Sequence, residues 1–260
     1  TGSLPTGLAI QRAAAEVDVK TVTLELGGKN PFIVLADADV EQVAAAAVAG
    51  MNFSWAGQSC GSTSRLLVHE SLFEKVLDAV AAAMDQLKLA NPLDQSAQMG
   101  PVNNAAHYAR ITELVEASVA QGGQLITGGG RPKGDEFSRG YWYRPTLFVD
   151  HDNALPVSKE EVFGPVLSVC RWNTLDEAIA KANDTPFGLT AAIWTNDLQA
   201  ALSASRRIQA GYVWINGVSQ HYVGTPFGGW KNSGLGGEES LAELLSYTRN
   251  KTIHMLSNEP

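Results

Sequence analysis

One cysteine and one glutamate have the type and setting to do chemistry on a carbonyl carbon. Cys60 lies in Ala56-Gly57-Gln58-Ser59-Cys60-Gly61-Ser62, a turn-forming run of small residues just after a helical stretch. With so little side-chain bulk, backbone amides can approach a thiolate closely and lower its pKa, as a sulfur nucleophile requires. Glu25 ends the strand-like run Thr21-Val22-Thr23-Leu24 and is followed by Leu26-Gly27-Gly28-Lys29. That position is expected to set a carboxylate at the C-terminal edge of a parallel sheet, where sites in such folds gather. Each residue alone also has a structural reading. A lone cysteine is commonly a core residue, and Glu25 could be solvated or paired with Lys29. Cys170, inside an apolar strand, takes the structural reading.

The elements that must position these residues alternate between strand and helix, which argues for an α/β architecture with a largely parallel sheet. Strands are expected at 21–26, 65–69, 124–127, 166–171, 191–194 and 212–216, with a terminal strand at 251–256. Helices are expected at 40–51, 72–89, 104–120, 175–182, 198–208 and 238–247. In the helix at 72–89, Phe73, Val76, Leu77, Val80, Met84 and Leu87 fall on one face. The glycine-dense stretch Gly224 to Gly237 contains Pro226 and reads as a shaped loop bordering a site, without regular structure.

Composition narrows the partners. With 260 residues, 45% hydrophobic and 18% charged, the chain can bury a core and fill one large domain or two. A net charge of -8 without an acidic run argues against nucleic acid or an anionic membrane surface as partner. No segment has the unbroken apolar length of a membrane span, so a small neutral or polarisable molecule fits best. Two distant cysteines do not make a disulfide framework and read as reduced thiols, with a cytoplasmic setting as the default. His107 and His221 have no second ligand at metal spacing, so no catalytic metal is expected.

Four segments together resemble the aldehyde dehydrogenase superfamily. They are Leu24-Glu25-Leu26-Gly27-Gly28-Lys29-Asn30; Phe53-Ser54-Trp55-Ala56-Gly57-Gln58-Ser59-Cys60; Glu160-Glu161-Val162-Phe163-Gly164-Pro165-Val166; and Pro226-Phe227-Gly228-Gly229 with Lys231-Asn232-Ser233-Gly234. Their order matches the family, as does the spacing of 35 positions between Glu25 and Cys60. The resemblance implies that Cys60 attacks an aldehyde and that Glu25, as general base, activates the water that releases a free acid, with NAD or NADP as hydride acceptor. It further implies that Glu161 accepts hydrogen bonds from the nicotinamide ribose and that Phe163 packs beside the nicotinamide. Thr1-Gly2-Ser3 with Gly7 resembles the turn that sets cofactor phosphate on a helix N-terminus, and Leu26 belongs to the same cofactor site.

By that resemblance, residues 1–26 are the remnant of a Rossmann-like cofactor domain, 27–228 the catalytic domain, and 229–260 a C-terminal return helix and oligomerisation strand. The chain starts as though inside a domain. A lysine for the adenine ribose and a catalytic asparagine are expected upstream of Thr1, and the intact enzyme is expected to be a homo-oligomer. Trp55, Tyr222 and Val218 to Val223 either line the aldehyde tunnel, suiting an apolar, aromatic or quaternary-ammonium aldehyde, or are packing residues. Two other readings compete: a non-catalytic fragment serving as an assembly module, and a cofactor-independent thiol esterase.

Overall fold

Phe32 and Val34 alternate along the chain with Ile33 and Leu35, and all four side chains are buried. A strand with successive side chains on opposite faces, each needing cover, must sit inside a sheet with helices on both sides. The computed structural model, which describes residues 1–256, has that architecture. In chain order its elements begin with helix α1 (Leu4–Val17), strands β1 (Leu24–Glu25) and β2 (Pro31–Val34), helix α2 (Val40–Gly50), strand β3 (Arg65–His69), and helices α3 (Phe73–Asp85) and α4 (Ala105–Ala120). Strands β4 (Gln124–Thr127) and β5 (Thr146–Val149), helix α5 (Pro156–Lys159), strand β6 (Val166–Trp172) and helix α6 (Leu175–Asn183) follow. The chain then forms strands β7 (Phe187–Gly188) and β8 (Thr190–Trp194), helix α7 (Leu198–Arg207), strands β9 (Tyr212–Ile215), β10 (Trp230–Lys231) and β11 (Gly234–Leu235), and helix α8 (Leu241–Ser246).

Seven strands make the central sheet in the order β4-β5-β6-β3-β2-β8-β9, and only the β4–β5 pair is antiparallel. Helices α2 and α3 close one face, with Val43, Ala47, Val76 and Val80 packed on Phe32, Val34, Leu66 and Val68. Helices α6 and α7 close the other, setting Ala178, Ile179 and Ala204 against Ile33, Leu67 and Ile193. Each fully buried aliphatic or aromatic side chain contributes roughly 1.5–3 kcal/mol, so this double cover fixes the strand starts that carry the site. No helix among the described residues is long and apolar enough to cross a membrane.

Four expectations are corrected. The run at 21–26 is not a strand of the central sheet. Only Leu24 and Glu25 are in strand conformation, and they pair antiparallel with Leu235 and Gly234 of the glycine-rich loop, which therefore does carry regular structure. Glu25 consequently does not stand at the C-terminal edge of the parallel sheet. The segments ending at Asn30, Ser64, Pro165 and Leu189 lead into β2, β3, β6 and β8, so the site lies at the amino-terminal edge of those strands. Finally, Lys251 to Leu256 forms no strand. A strand needs a partner for its ladder, and none lies beside this segment among the described residues.

Candidate active site

The Cys60 loop is the lead-in to β3. Asn52 and Ala56 adopt left-handed backbone conformations on either side of the single turn Phe53–Trp55, which reverses the chain after α2. Cys60 is half-buried and packs against a cluster of Leu189, Tyr212, Trp214 and Phe227. Burial pushes its thiol pKa up, the nearby carboxylates Glu161 and Glu25 add to this, and the backbone N–H groups of Cys60 and Gly61 act in the opposite direction. The net direction is upward, so the resting side chain favours the thiol, against the lowering that the small-residue turn was expected to give. Both cysteines are free, and Cys170 lies buried in β6.

Glu25 is only 3% exposed, and neither carboxylate oxygen has a hydrogen-bond partner. Burial first, and Glu238 second, push its pKa up to about 7. A carboxylate in that state can take a proton near neutrality, which an ordinary solvated glutamate does poorly. The backbone carbonyl of Glu25 accepts the Gly2 N–H at 3.0 Å, tying the first residues of the chain to this segment. The alternative of an ion pair with Lys29 does not hold. Lys29 is fully buried, its ammonium also lacks a partner, and burial with the nearby Arg65 pulls its pKa down to about 7.

Glu161 reaches back from the lead-in to β6 and accepts the Gly28 N–H at 2.9 Å. Its carboxylate fills the space a Cβ on Gly27 would need, so glycine at that position makes room for it. Burial pushes its pKa up, against the Gly28 N–H, Lys29 and Arg110. Phe163 is in the left-handed backbone region at φ 53°, so the chain turns there on its way from Glu161 into β6. The unusual conformation is held in part by His107, whose Nε2 is 2.6 Å from the Phe163 carbonyl oxygen.

Cys60, Glu161 and Phe163 meet in one cleft of about 840 Å³ lined also by Gly2, Ser3 and Leu26, whereas Glu25, next in the chain to Leu26, is not among its lining residues. Helix α1 begins at its rim because Ser3 accepts the Thr6 N–H and Pro5 has no N–H to leave unpaired. The first turn of α1 carries no acidic side chain. A helix amino end without negative charge, an acceptor carboxylate and a half-exposed aromatic ring fit the phosphate, ribose and ring of a dinucleotide. The residues that could hold it are Gly2, Ser3, Leu26, Glu161 and Phe163.

Trp55 and Tyr222 are not brought into this cleft; they are 62% and 59% exposed. The aromatic groups that do reach the neighbourhood of Cys60 are Tyr212, Trp214 and Phe227, with His221 stacked on Tyr212 at 5.6 Å and bonded through Nδ1 to Glu239. Alternation along β9 is the only sequence signal that could have singled out Tyr212 and Trp214 together.

The family model described as the aldehyde dehydrogenase family matches residues 1–253. Over 255 residues, 98% of this chain, the sequence is 41% identical to the betaine aldehyde dehydrogenase of Brucella anthropi and 39% identical to that of Brucella melitensis biotype 2. The match covers 52% of each relative, so the chain spans about half the length of the curated relatives it matches. Among solved structures, a betaine aldehyde dehydrogenase from Staphylococcus aureus in complex with NAD+ superposes with a TM-score of 0.91 at 36% identity. It covers 95% of this chain and 48% of its own. An aldehyde dehydrogenase from Bacillus cereus, also an NAD+ complex, gives 0.90 at 36% identity, covering 95% and 49%.

Proposed function

This chain belongs to the aldehyde dehydrogenase family, and we propose that it supplies the nucleophile and the base for oxidation of an aldehyde to a free carboxylic acid. The observation that carries this reading is Glu25, a buried carboxylate with no hydrogen-bond partner, close enough to Cys60 to disfavour its thiolate.

In this mechanism the Cys60 thiolate adds to the aldehyde carbon, forming a thiohemiacetal oxyanion. The backbone N–H of Cys60 is a donor for that charge, and one such donor is worth roughly 3 kcal/mol in the transition state. NAD+ or NADP+, when bound, accepts the hydride that leaves the thiohemiacetal carbon. Glu161 and Phe163 would hold the ribose and ring of that cofactor, and Gly2, Ser3 and Leu26 would line the part of the cleft that takes its phosphates. The acyl group then remains on Cys60 as a thioester. Glu25 takes a proton from water, the resulting hydroxide attacks the thioester carbonyl, and the acid departs as the Cys60 thiolate is released.

For the substrate, the names of the relatives and the aromatic cluster beside Cys60 favour a quaternary-ammonium aldehyde, whose cation an aromatic surface attracts. The exposed Ile253, Met255 and Leu256 support a homo-oligomer of the intact protein, and the two free thiols suit a reducing, cytoplasmic compartment. The test is NADH formation with aliphatic, aromatic and betaine-type aldehydes. The expected result is hydride transfer in both the parent and Glu25→Gln, with steady-state turnover of Glu25→Gln lower by about 10²-fold or more. No NADH from any aldehyde would overturn the oxidation, and parental turnover in Glu25→Gln would remove Glu25 from the role of base.

A further inference from the structure

Asn30 ends the first motif and has no part in the mechanism above, yet it is 1% exposed and uses its whole side-chain amide. Its Nδ2 donates to the Cys60 carbonyl at 2.7 Å and to the Ser62 carbonyl at 2.8 Å. Its Oδ1 accepts the N–H of Thr190, the first residue of β8, at 3.0 Å. Only one orientation of the amide allows this, because the flipped form would set oxygen against two carbonyls and N–H against N–H. The side chain therefore spans from the start of β2 to its two neighbours in the sheet, holding the lead-in to β3 on one side and the first residue of β8 on the other.

The intervening carbonyl is held as well, since Thr190 Oγ1 donates to Gly61 O at 3.2 Å. Three successive carbonyls, those of Cys60, Gly61 and Ser62, thus point to fixed donors. In a planar trans peptide the N–H lies opposite the carbonyl. Holding the Cys60 carbonyl on Asn30 accordingly fixes the orientation of the Gly61 N–H at the other end of the same peptide plane, and that N–H acts to lower the Cys60 thiol pKa. Gly28 lets the two loops approach this closely, because a Cβ there would stand 2.5 Å from the Cys60 carbonyl oxygen and 2.6 Å from Asn30 Oδ1.

We propose that Asn30 is a positioning residue for the nucleophile: by holding the Cys60 carbonyl it fixes the orientation of the Gly61 N–H and so sustains the reactive thiolate. The proposal rests on the reading of Cys60 as nucleophile. Asn30→Leu is the direct variant, since it keeps the approximate size and the neutrality of the side chain but loses the two-donor amide, whereas an acidic replacement would itself raise the thiol pKa. Asn30→Ser, which retains one small donor, is made beside it, and whichever variant keeps a cooperative thermal transition is read.

The measurement is the rate of iodoacetamide alkylation at Cys60 as a function of pH, located by peptide mass spectrometry, with Cys170 as the internal control. The expected result is a rise of about one unit in the apparent thiol pKa of Cys60, hence alkylation about tenfold slower near neutrality, with Cys170 still protected. A purely structural Asn30 gives the opposite sign, because a loosened loop exposes the sulfur. Cys60 alkylation unchanged or faster at every pH would overturn the proposal. A Cys60 unreactive in the parent would instead overturn the nucleophile reading itself.

Discussion

Glu25 is paired with Gly234 across a two-residue antiparallel ladder, which holds the carboxylate-bearing residue on a loop from the far end of the chain instead of on the central sheet. The neighbouring Leu26 N–H donates to the Ser233 carbonyl at 2.7 Å, and Ser233 Oγ donates to the Gly27 carbonyl at 2.6 Å. The glycine-rich loop thus supports Glu25, the proposed base, and its closing bridge between Phe227 and Glu238 sets a second carboxylate near it.

The raised pKa of Glu25 makes stability depend on pH. Its folded-state value of about 7 lies above the ordinary 4.5, so between those values the folded chain holds the proton more tightly than the unfolded chain. The stability this group contributes is fully present below its unfolded pKa and is lost as pH rises through the folded one. Glu25→Gln stays neutral throughout and should be the more stable protein above neutrality, by on the order of 2 kcal/mol, with the two curves converging in acid. Urea unfolding across this range checks it; a difference independent of pH would contradict it.

Lys29 titrates in a different window with the opposite sign. Its folded-state pKa of about 7 lies below the ordinary 10.5, so the unfolded chain binds this proton more tightly between those values and stability rises with pH across them. Lys29→Met fills the same space without a charge and should remove that rise, leaving the variant at least as stable as the parent near neutrality. Thermal unfolding in alkaline buffers is the measurement.

Glu161→Gln separates two effects of one carboxylate. The amide can still accept the Gly28 N–H, so the loop keeps its bond. Loss of the charge removes one of the groups that raise the Cys60 pKa, and alkylation of Cys60 should quicken near neutrality. The same change weakens the acceptor proposed for the cofactor ribose and should raise the KM for NAD+ by about tenfold, the size of one charge-assisted hydrogen bond.

Much of the fold was legible in the sequence. Arg65–His69 and Gln124–Thr127 were expected at the bounds observed, and the apolar stripe from Phe73 to Met84 is buried as its spacing required. Pro31–Val34 and Thr146–Val149 escaped, because each is four residues long and buried on both faces, leaving no alternation to read. The site was legible as a set of motifs but not as a place. The amino-terminal edge appears only once β2 is seen between β3 and β8, and Asn30 gains its partners only when those strands lie side by side. Tyr212 and Trp214 likewise become neighbours of Cys60 through tertiary packing alone.

The central claim is that Cys60 carries the acyl group and Glu25 brings in the water that removes it. Loading the protein with an activated ester, then following acyl-Cys60 by peptide mass spectrometry, tests both roles without depending on cofactor. The expected result is a thioester on Cys60 that turns over in the parent, persists at least about 10²-fold longer in Glu25→Gln, and is absent in Cys60→Ala. Acylation at another residue, or equal thioester lifetimes in the parent and Glu25→Gln, would contradict the account.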